Sequence, residues 1–262
     1  MKVALVTGAA GAIGAATCAA LLEHGYRVVA VDVDRDGLDR LPGPVTRLCH
    51  DLTDPAAPGD IAAALTGAGR LDVLVHNAGV CVTTPFEQAT TEEIAREQQV
   101  NLHAPILLTR ALFGLLRQSS GHIVAVVSLA SQLPLAQSPG YSASKFGLRG
   151  FLLALAMREK ETGVRISIIN PGAVDTPMLR REAATGGSPL NFLSTPLSAR
   201  AVADAVTARL GRPRLETNLP RHDGWLIRTG MLAPALIRWV RPALERVARP
   251  AHRAYLRKND TR

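Results

Sequence analysis

The stretch that decides the fold is KVALVTGAAGAIGAATCAALLEHG, residues 2–25. Its apolar opening ends at Gly8, and a helical run then extends from Ala12 to a terminating glycine. Gly8, Gly11 and Gly14 allow a tight turn that presents backbone N–H groups at the start of the helix. This order predicts a strand–turn–helix unit whose turn is either a pyrophosphate-binding loop or a plain glycine-rich turn.

Further apolar runs rich in Val and Ile repeat this pattern along the chain. They lie at 27–34, 70–79, 121–131 and 163–172, and helical stretches lie at 91–118 and about 142–162. Runs that are apolar on both faces and alternate with helices indicate parallel strands covered on both sides. The sequence therefore predicts an α/β fold with a doubly wound parallel β-sheet, the Rossmann fold.

Composition indicates one domain followed by a basic tail. The chain has 262 residues, of which 47% are hydrophobic, and a net charge of +8. Residues 209–262 carry 13 Lys and Arg against 4 Asp and Glu, whereas the remainder is nearly neutral. We expect a single domain over 1–210 and a basic, proline-interrupted amphipathic extension over 211–262.

The three cysteines, Cys18, Cys49 and Cys81, are too widely spaced for a paired disulfide framework or a CxxC metal site. Their apolar or strand-like surroundings predict buried free thiols in a reducing compartment, and we expect no metal site. The amino terminus runs directly into a strand, and no apolar run approaches the ~20 residues of a spanning helix. A cytoplasmic protein is expected.

The segment YSASKFG, residues 141–147, places Tyr141 and Lys145 four residues apart. In a helix this spacing puts the phenol and the ammonium on one face, and a neighbouring cation favours phenolate. The pair is expected to lower the pKa of Tyr141 and to supply a general acid/base, although an ordinary surface helix pair has the same spacing.

Asp32 ends the second apolar run, 18 residues after Gly14. A carboxylate there can accept both adenosine ribose hydroxyls of NAD and would repel the 2′-phosphate of NADP. Val33 follows where an arginine would favour NADP, but Arg35 is a nearby cation that argues for NADP. Alternatively, Asp32 only starts a turn with Asp34. We expect NAD.

Asn101 lies inside a long helical stretch, and Pro105 follows four residues later. Because proline has no N–H, the carbonyl of Asn101 loses its helical partner and the helix should kink. The freed carbonyl could hold a water at a catalytic site, or the break could serve packing alone.

Seven short segments occur in a fixed order along about residues 1–210. They are TGAAGAIG at 7–14, HDLTD at 50–54, HNAG at 76–79, VNL at 100–102, VSLAS at 127–131, YSASK at 141–145 and NPGAVDTPM at 170–178. Together they resemble the short-chain dehydrogenase/reductase family, in its ordinary single-domain type. One departure is Ala12, which stands where the family's second glycine is usual.

The resemblance implies an NAD(H)-dependent oxidoreductase that transfers hydride between the cofactor and a secondary alcohol or ketone. Tyr141 would be the general acid/base, Ser128 would orient the substrate oxygen, and Lys145 would hold the nicotinamide ribose. Asn101 would complete a proton relay through water. The implied cofactor-binding residues are Gly8, Ala12, Ile13, Gly14, Asp32, Asp51, Leu52, Asn77, Ala78, Gly79, Tyr141, Lys145, Pro171, Gly172, Val174 and Thr176.

The segment 178–198 contains two glycines and two prolines and is expected to form a mobile loop or broken helix beside the substrate. Nearby apolar residues suggest a hydrophobic secondary alcohol or ketone; they are Leu129, Leu133, Pro134, Leu135 and Met178. The alternatives are an NADP-dependent ketone reductase and a non-catalytic dinucleotide-sensing or scaffold protein on the same fold.

The tail 224–258 mixes many arginines with Trp225 and Trp239, and its prolines, eight residues apart, are expected to divide it into short helices. Such a segment can lie on an anionic membrane. Its apolar side can instead pack on the domain or on a second subunit, which we favour. No nucleic-acid-binding module is recognisable, and the resemblance implies a homodimer or homotetramer.

Overall fold

The computed structural model describes residues 1–67, 69–220 and 234–259. Within these ranges the strands are β1 (Val3–Thr7), β2 (Arg27–Asp32), β3 (Val45–Cys49), β4 (Val73–His76), β5 (His122–Val126), β6 (Arg165–Pro171) and β7 (Glu216–Leu219). They form one parallel sheet in the order β3–β2–β1–β4–β5–β6–β7. The chain builds outward from β1 to one side and then to the other, so the predicted doubly wound sheet is confirmed.

Helices connect the strands and cover both faces of the sheet. They are α1 (Ala12–Glu23), α2 (Arg35–Asp39), α3 (Ala57–Thr66), α4 (Thr91–Gln98), α5 (Ala104–Gln118), α6 (Pro139–Ala156), α7 (Glu159–Thr162), α8 (Pro177–Ala184), α9 (Ala199–Gly211) and α10 (Pro234–Asn259). A π-helical turn, Gln99–His103, joins α4 to α5, and short 3₁₀ turns span Leu129–Ser131 and Pro189–Phe192.

The sheet is buried on both faces because successive strand residues point to opposite sides. Leu5 of β1 belongs to a core formed with α3, α5 and α6, whereas Val6 belongs to a second core formed with α1 and α9. Every residue of β1 is buried. This double cover is the reason the strands read as continuous apolar runs.

Local signals set the starts of the helices that border the site. At α4, Thr90 and Glu93 form a capping box in which each side chain accepts a hydrogen bond from the other residue's backbone N–H. Pro139 and Pro177 begin α6 and α8, where the missing N–H of proline costs no helical hydrogen bond.

The expected helix break near Asn101 takes the form of the π-helical turn. The N–H of Ala104 donates to the carbonyl of Gln99, five residues earlier, and Pro105 opens the following helix. Single π turns of this kind are frequent at functional sites.

Two strands at the sheet edges are not indicated by the apolar pattern. In β3, Thr46 and Arg47 are exposed, so the strand lacks a continuous apolar run. The sequence of β7, ETNL, is largely polar. Because β7 lies beyond residue 210, the sheet continues into residues that composition assigned to the extension.

Over residues 234–259, the described part of the predicted helical segment, the extension forms one continuous helix rather than short helices divided at the prolines. Pro242 and Pro250 lie inside α10 on its exposed side, where water can satisfy the carbonyls that lack a helical donor. Trp225 and the other residues of 221–233 lie outside the described residues. Among the described helices, none is both long enough and apolar enough to cross a bilayer.

All three cysteines are free thiols. Cys18 is buried as predicted, but Cys49 and Cys81 are only partly buried. The expectation fails for these two because Cys49 ends β3 and Cys81 follows β4, where the sheet opens at its carboxyl edge.

Candidate active site

The glycine-rich turn between β1 and α1 has the geometry of an anion cradle. Gly8 has φ +64°, and a Cβ there would lie 2.7 Å from the Cα of Ala78. A Cβ at Gly14 would overlap the carbonyl oxygen of Gly8. Gly11, the N-cap of α1, has no side chain with which to satisfy the first-turn N–H groups. Those donors, which include the N–H groups of Ala12 and Ile13, fit a pyrophosphate.

The base of this cradle is tied to the end of β4. The backbone N–H groups of Asn77 and Ala78 donate to the hydroxyl of Thr7 at 3.1 and 3.2 Å. The side-chain amide of Asn77 donates to the carbonyls of Thr7 and Gly8, both at 3.0 Å. Thr7 is absent from the predicted site, although a hydroxyl at the carboxyl end of β1 is a readable signal.

Asp32 lies at the carboxyl end of β2 beside the cradle. One carboxylate oxygen accepts from the N–H of Ala10 at 2.9 Å, and the other accepts from the N–H of Asp34 at 3.0 Å. The side chain thus joins the glycine-rich loop at Ala10 to the turn that follows β2 at Asp34. Because a carboxylate has about four acceptor positions, it can still accept hydroxyl groups from a ligand.

Asp51 and Leu52 follow β3 at the same edge of the sheet. Asp51 accepts from the backbone N–H and the hydroxyl of Thr53 at 2.9 and 2.8 Å. The backbone hydrogen bond from Thr53 is the largest influence holding the pKa of Asp51 below its usual value, and Arg96, 3.5 Å away, adds to it. The carboxylate is therefore ionised at neutral pH.

Tyr141 and Lys145 lie one turn apart on α6, as the spacing predicts. The ammonium of Lys145 lies 5.4 Å from the centre of the Tyr141 ring, and the Lys145 side chain is only 3% exposed. Burial lowers the pKa of Lys145 to about 8. An ammonium in this position is poised to lose its proton just above neutral pH.

The prediction that Lys145 lowers the pKa of Tyr141 is wrong for the protein without its cofactor. Burial raises the pKa of the phenol above its ordinary value, and nearby Cys81 and Glu182 raise it further. A hydrogen bond with Ser128 acts in the opposite direction. The ammonium lies over the ring, and desolvation is the largest influence on the phenol.

Ser128 follows β5 and begins the 3₁₀ turn. Its hydroxyl accepts from the N–H of Ala130 at 3.0 Å and, as noted, hydrogen-bonds Tyr141. Its backbone carbonyl accepts from the hydroxyl of Ser131 at 2.7 Å, and that hydroxyl oxygen also lies 3.2 Å from the side-chain oxygen of Asn170. The predicted pair Ser128 and Tyr141 is thus brought together.

A partly buried polar network lies next to this turn. The side-chain amides of Asn170 and Gln132 both donate to Asn218 of β7 at 3.0 Å. Beside them, Glu216 accepts two hydrogen bonds from Arg149 of α6, at 2.6 and 3.0 Å. Sequence reasoning missed this network because its members come from four separate segments.

Asn101 is fully buried and joins the strand end after β4 to α6. Its side chain exchanges two 2.8 Å hydrogen bonds with the backbone of Val80 and donates to the hydroxyl of Ser144 at 3.1 Å. A Cβ at Gly79 would lie 3.3 Å from the ammonium of Lys145 and 3.4 Å from the amide oxygen of Asn101. A side chain at position 79 would therefore crowd both groups.

Two carboxyl groups that the sequence did not indicate lie near the tyrosine. Glu97 of α4 is 2% exposed and accepts from the N–H of Val82 at 2.8 Å. Glu182 of α8 accepts from the side chain of Asn191 at 2.8 Å. Burial raises the pKa of both. Within the described ranges, no three His, Cys, Asp or Glu side chains are grouped to hold a metal.

The segment after β6 leads into a broken helix, as predicted for 178–198. The N–H of Gly172 donates to the carbonyl of Leu219 at 2.7 Å, and Val174 forms a parallel bridge with Leu197. Thr176 caps α8 by accepting from Leu179 at 3.3 Å. Pro171 is the last residue of β6. We call α8 and the 3₁₀ turn Pro189–Phe192 the lid.

A cavity of about 240 Å³ lies between the lid, the loop after β4 and the segment before α6. Its walls are mixed rather than apolar, and they do not include the five residues predicted to line the pocket. The lining residues are Thr83, Pro85, Phe86, Glu87, Ala136, Gln137, Ser138, Glu182, Thr185, Gly186 and Gly187. A larger depression of about 560 Å³ lies near the amino ends of β2 and β3, away from this chemistry.

The family model for short chain dehydrogenases matches residues 2–186. The chain belongs to the short-chain dehydrogenase family. It is an oxidoreductase that acts on alcohol and ketone groups with a nicotinamide dinucleotide.

Curated relatives of this short-chain dehydrogenase act on different compounds. The 1-deoxy-11-beta-hydroxypentalenate dehydrogenase of Streptomyces avermitilis is 36% identical over 223 residues, covering 80% of this chain and 82% of that protein. The NAD(+)-dependent 15-hydroxyprostaglandin dehydrogenase of Mus musculus is 39% identical over 194 residues, covering 68% of this chain and 69% of that protein.

Solved structures similar to this short-chain dehydrogenase include both cofactor types. A 3-ketoacyl-(acyl-carrier-protein) reductase from Brucella melitensis, complexed with NADH, has a TM-score of 0.75 and 27% identity, covering 84% of this chain and 98% of that one. A short chain dehydrogenase from Burkholderia cenocepacia, in complex with NADP, has a TM-score of 0.77 and 27% identity, covering 92% and 99%.

Proposed function

We propose that the protein is an NAD(H)-dependent dehydrogenase that interconverts a secondary alcohol and a ketone, with Tyr141 as the general acid/base. The observation that carries this proposal is the close grouping of Tyr141, Lys145 and Ser128 at the carboxyl edge of the sheet. The glycine cradle and Asp32 lie at the same edge, so the chain can hold a dinucleotide beside a proton donor.

Asp32 supports NAD rather than NADP. Its carboxylate would repel a 2′-phosphate, and the adjacent Val33 is exposed and uncharged. Asp51 adds a second negative charge at this edge. Arg35 remains the one argument for an NADP-dependent ketone reductase among the residues next to Asp32.

The remaining proposed cofactor contacts extend from the glycine cradle to the adenine at one end and to the nicotinamide at the other. Ala12, Ile13 and Gly14 would donate N–H groups to the pyrophosphate. Asp51 and Leu52 would hold the adenine, and the turn of Asn77, Ala78 and Gly79 would border the ribose. Lys145 would hold the nicotinamide ribose, and the carboxamide would contact Pro171, Gly172, Val174 and Thr176.

The protein's own residues move the proton. In alcohol oxidation, Tyr141 as phenolate accepts the hydroxyl proton, and in ketone reduction it donates that proton; Ser128 holds the substrate oxygen. When bound, the oxidised nicotinamide supplies the hydride acceptor and a positive charge near the phenol. Asn101 donates to Ser144, the neighbour of Lys145 on α6, and is proposed to complete the relay.

Lowering a phenol pKa from about 10 to about 7 requires about 4 kcal/mol of preference for the phenolate. Burial in the protein acts against this preference. Lys145 in its charged form, Ser128 and the positive charge of the oxidised cofactor must therefore together stabilise the Tyr141 phenolate. Because the pKa of Lys145 is about 8, this contribution decreases at alkaline pH.

The proposed substrate has a hydrophobic skeleton and at least one polar group. Pro85 and Phe86 provide apolar walls to the cavity, whereas Thr83, Ser138 and Glu182 provide hydrogen-bonding groups. A purely hydrophobic alcohol, as Leu129 and its neighbours suggested, would make no hydrogen bonds with these polar groups of the wall.

We also propose a homodimer or homotetramer. The exposed side of α5 presents Leu107, which is 49% exposed, next to the long helix α6. Helices of this length offer the area that a stable subunit interface needs. Light scattering coupled to size-exclusion chromatography measures the subunit number directly.

The first experiment is a fluorescence titration with NADH and with NADPH. Wild type is expected to bind NADH more tightly, and Asp32→Ala should lose that preference, whereas Asp36→Ala on the exposed face of α2 should keep it. Preference of wild type for NADPH would contradict the cofactor proposal. Cofactor binding without turnover across a panel of amphipathic secondary alcohols and ketones would favour the non-catalytic alternative.

A further inference from the structure

The inner face of α10 packs on the lid. Phe192 stacks on the ring of His252 with ring centres 4.7 Å apart, and Tyr255 donates to the carboxylate of Asp175 at 2.7 Å. Ala248 is 1% exposed, and Leu256 packs against the small lid core around Phe192. This packing holds the described part of the extension on the domain.

The outer face of α10 contains an exposed apolar arc. At about 100° per residue, its members fall within roughly one third of the helix circumference. Trp239 is 83% exposed and Val247 is 72% exposed, although large apolar side chains usually avoid water. The arc consists of Trp239, Val240, Ala243, Val247, Pro250, Ala251 and Ala254, all exposed.

A row of arginines lies along one side of this apolar arc. Arg246, Arg249, Arg253 and Arg257 are all exposed. Residues 238–258 contain seven Lys and Arg and a single acidic residue, Glu245. Glu245 already pairs with Arg241 at 2.7 Å, on the inner side of the helix. The outer face is therefore apolar and strongly cationic.

We propose that this outer face binds an anionic membrane surface, with α10 lying parallel to the bilayer. Trp239 and Val247 enter the headgroup boundary, and the arginine row contacts lipid phosphates. A second copy of the same face is a poor occupant, because it would oppose one cationic surface with another. Charge complementarity instead selects a surface of negative charge.

Membrane binding would also place the lid beside the headgroups. The inner face of α10 contacts α8 and Phe192, and Gln137 of the cavity wall donates a hydrogen bond to Glu245 of α10, so the helix borders one side of the cavity. An amphipathic alcohol or ketone dissolved in the membrane would then reach the site over a short distance. The proposal that the outer face of α10 binds an anionic membrane does not depend on which reaction the enzyme catalyses.

The test is flotation of the full-length protein with vesicles of phosphatidylcholine alone or mixed with phosphatidylglycerol. We expect binding to the mixed vesicles that weakens at high salt, and little binding to pure phosphatidylcholine. In a Trp225→Phe background, fluorescence of Trp239 should shift to shorter wavelength on binding the mixed vesicles. Equal binding to both vesicle types, or none, would overturn the proposal.

Two pairs of matched variants separate this surface from general effects. Trp239→Ser with Val247→Ser, and separately Arg246→Gln with Arg253→Gln, should each reduce vesicle partitioning by roughly tenfold or more. Met157→Ser, which changes another exposed apolar residue, and Arg110→Gln with Arg117→Gln should not. NADH binding and thermal unfolding of every variant verify that it is folded. If the outer-face variants lose binding to an acidic protein while their vesicle partitioning is unchanged, the face binds a protein partner and the membrane proposal is wrong.

Discussion

At the scale of single residues, the site shows a competition between burial and charge at Tyr141. The spacing of Tyr141 and Lys145 correctly indicates that they lie on one helix face. Burial, together with Cys81 and Glu182, nevertheless raises the pKa of the phenol. These opposing groups come from distant segments, so the spacing alone could not reveal them.

Tyr141→Phe removes the proposed proton donor but keeps the ring. We expect turnover to fall by about a thousandfold, within the range of general acid–base catalysis, with the NADH dissociation constant nearly unchanged. Steady-state kinetics and the same NADH titration measure both quantities. Tyr26→Phe, at a tyrosine distant from the site, is the control. Near wild-type turnover in Tyr141→Phe would refute the proposed role.

Glu182→Gln tests the influence of the lid carboxyl on the tyrosine. A negative charge on Glu182 raises the pKa of Tyr141, so removing it should lower that pKa. The phenolate of Tyr141 then forms at lower pH. The rising limb of the kcat/KM profile for alcohol oxidation should therefore move to lower pH. Glu87→Gln, on another wall of the same cavity, should leave the profile in place; equal shifts in the two variants would contradict this coupling.

The motifs indicate several residues that the structure brings to one edge of the sheet, but not the contacts that support them. Asp32, Asn77, Tyr141 and Lys145 stand in recognisable segments, and the structure places them at one edge of the sheet. Thr7 and Asn170 stand in such segments too, but the hydrogen bonds that they make to other strands are not indicated by any spacing. The supporting contacts depend on where the strands end in space, which a single sequence does not display.

At the scale of elements, two neutral histidines tie the sheet together. His76 of β4 hydrogen-bonds Thr109 of α5 at 2.8 Å, and His122 of β5 hydrogen-bonds Ser167 of β6 at 2.9 Å. Burial lowers the pKa of His76 to about 3 and that of His122 to about 4. In the folded protein both rings stay neutral well below pH 6.5.

These histidines predict acid-sensitive folding. Between pH 6.5 and the lowered values, the unfolded chain binds protons that the folded chain does not, so stability is retained above pH 6.5 and lost as pH falls. The slope is up to about 1.4 kcal/mol per pH unit for each histidine. Urea unfolding at several pH values should show a shallower slope for His76→Asn, but not for His24→Asn on the surface. An unchanged slope in His76→Asn would contradict the assignment.

The central elements were predictable and the edges were not. The runs containing β1, β2, β4, β5 and β6 are apolar on both sides, because helices cover them. Each edge strand has a neighbour on one side only and contains polar residues, so β3 and β7 lack that signal. Pro105 did indicate the break between α4 and α5, because the loss of its N–H is a local effect.

At the scale of the whole molecule, α10 packs across the lid, and we call its contacts through His252 and Tyr255 the strap. Stacking of His252 on Phe192 and the Tyr255 hydrogen bond to Asp175 join the extension to elements that border the cavity. The lid therefore depends on a segment that composition alone separated from the domain.

His252→Ala combined with Tyr255→Phe should loosen this strap. We expect KM for the alcohol or ketone to rise by roughly three- to tenfold, because the variant loses the stack on Phe192, the hydrogen bond of His252 with the carbonyl of Ala183 and that of Tyr255 with Asp175. The NADH dissociation constant should not change. Arg249→Ala, on the outer face of α10, serves as the control in the same kinetic assay, and an unchanged KM in the double variant would show that the strap does not govern the lid.

The strand order also has a consequence for how the protein is made. β1 is synthesised first but lies inside the sheet, between β2 and β4. Its edge toward β4 stays unpaired until residue 76 has been added, and the far edge of β6 stays open until residue 219. Because long-range parallel pairing is slow and open apolar strands aggregate, the growing chain spends most of its synthesis with an exposed sheet edge. Protection of this edge in the growing chain is therefore a requirement separate from the stability of the finished fold.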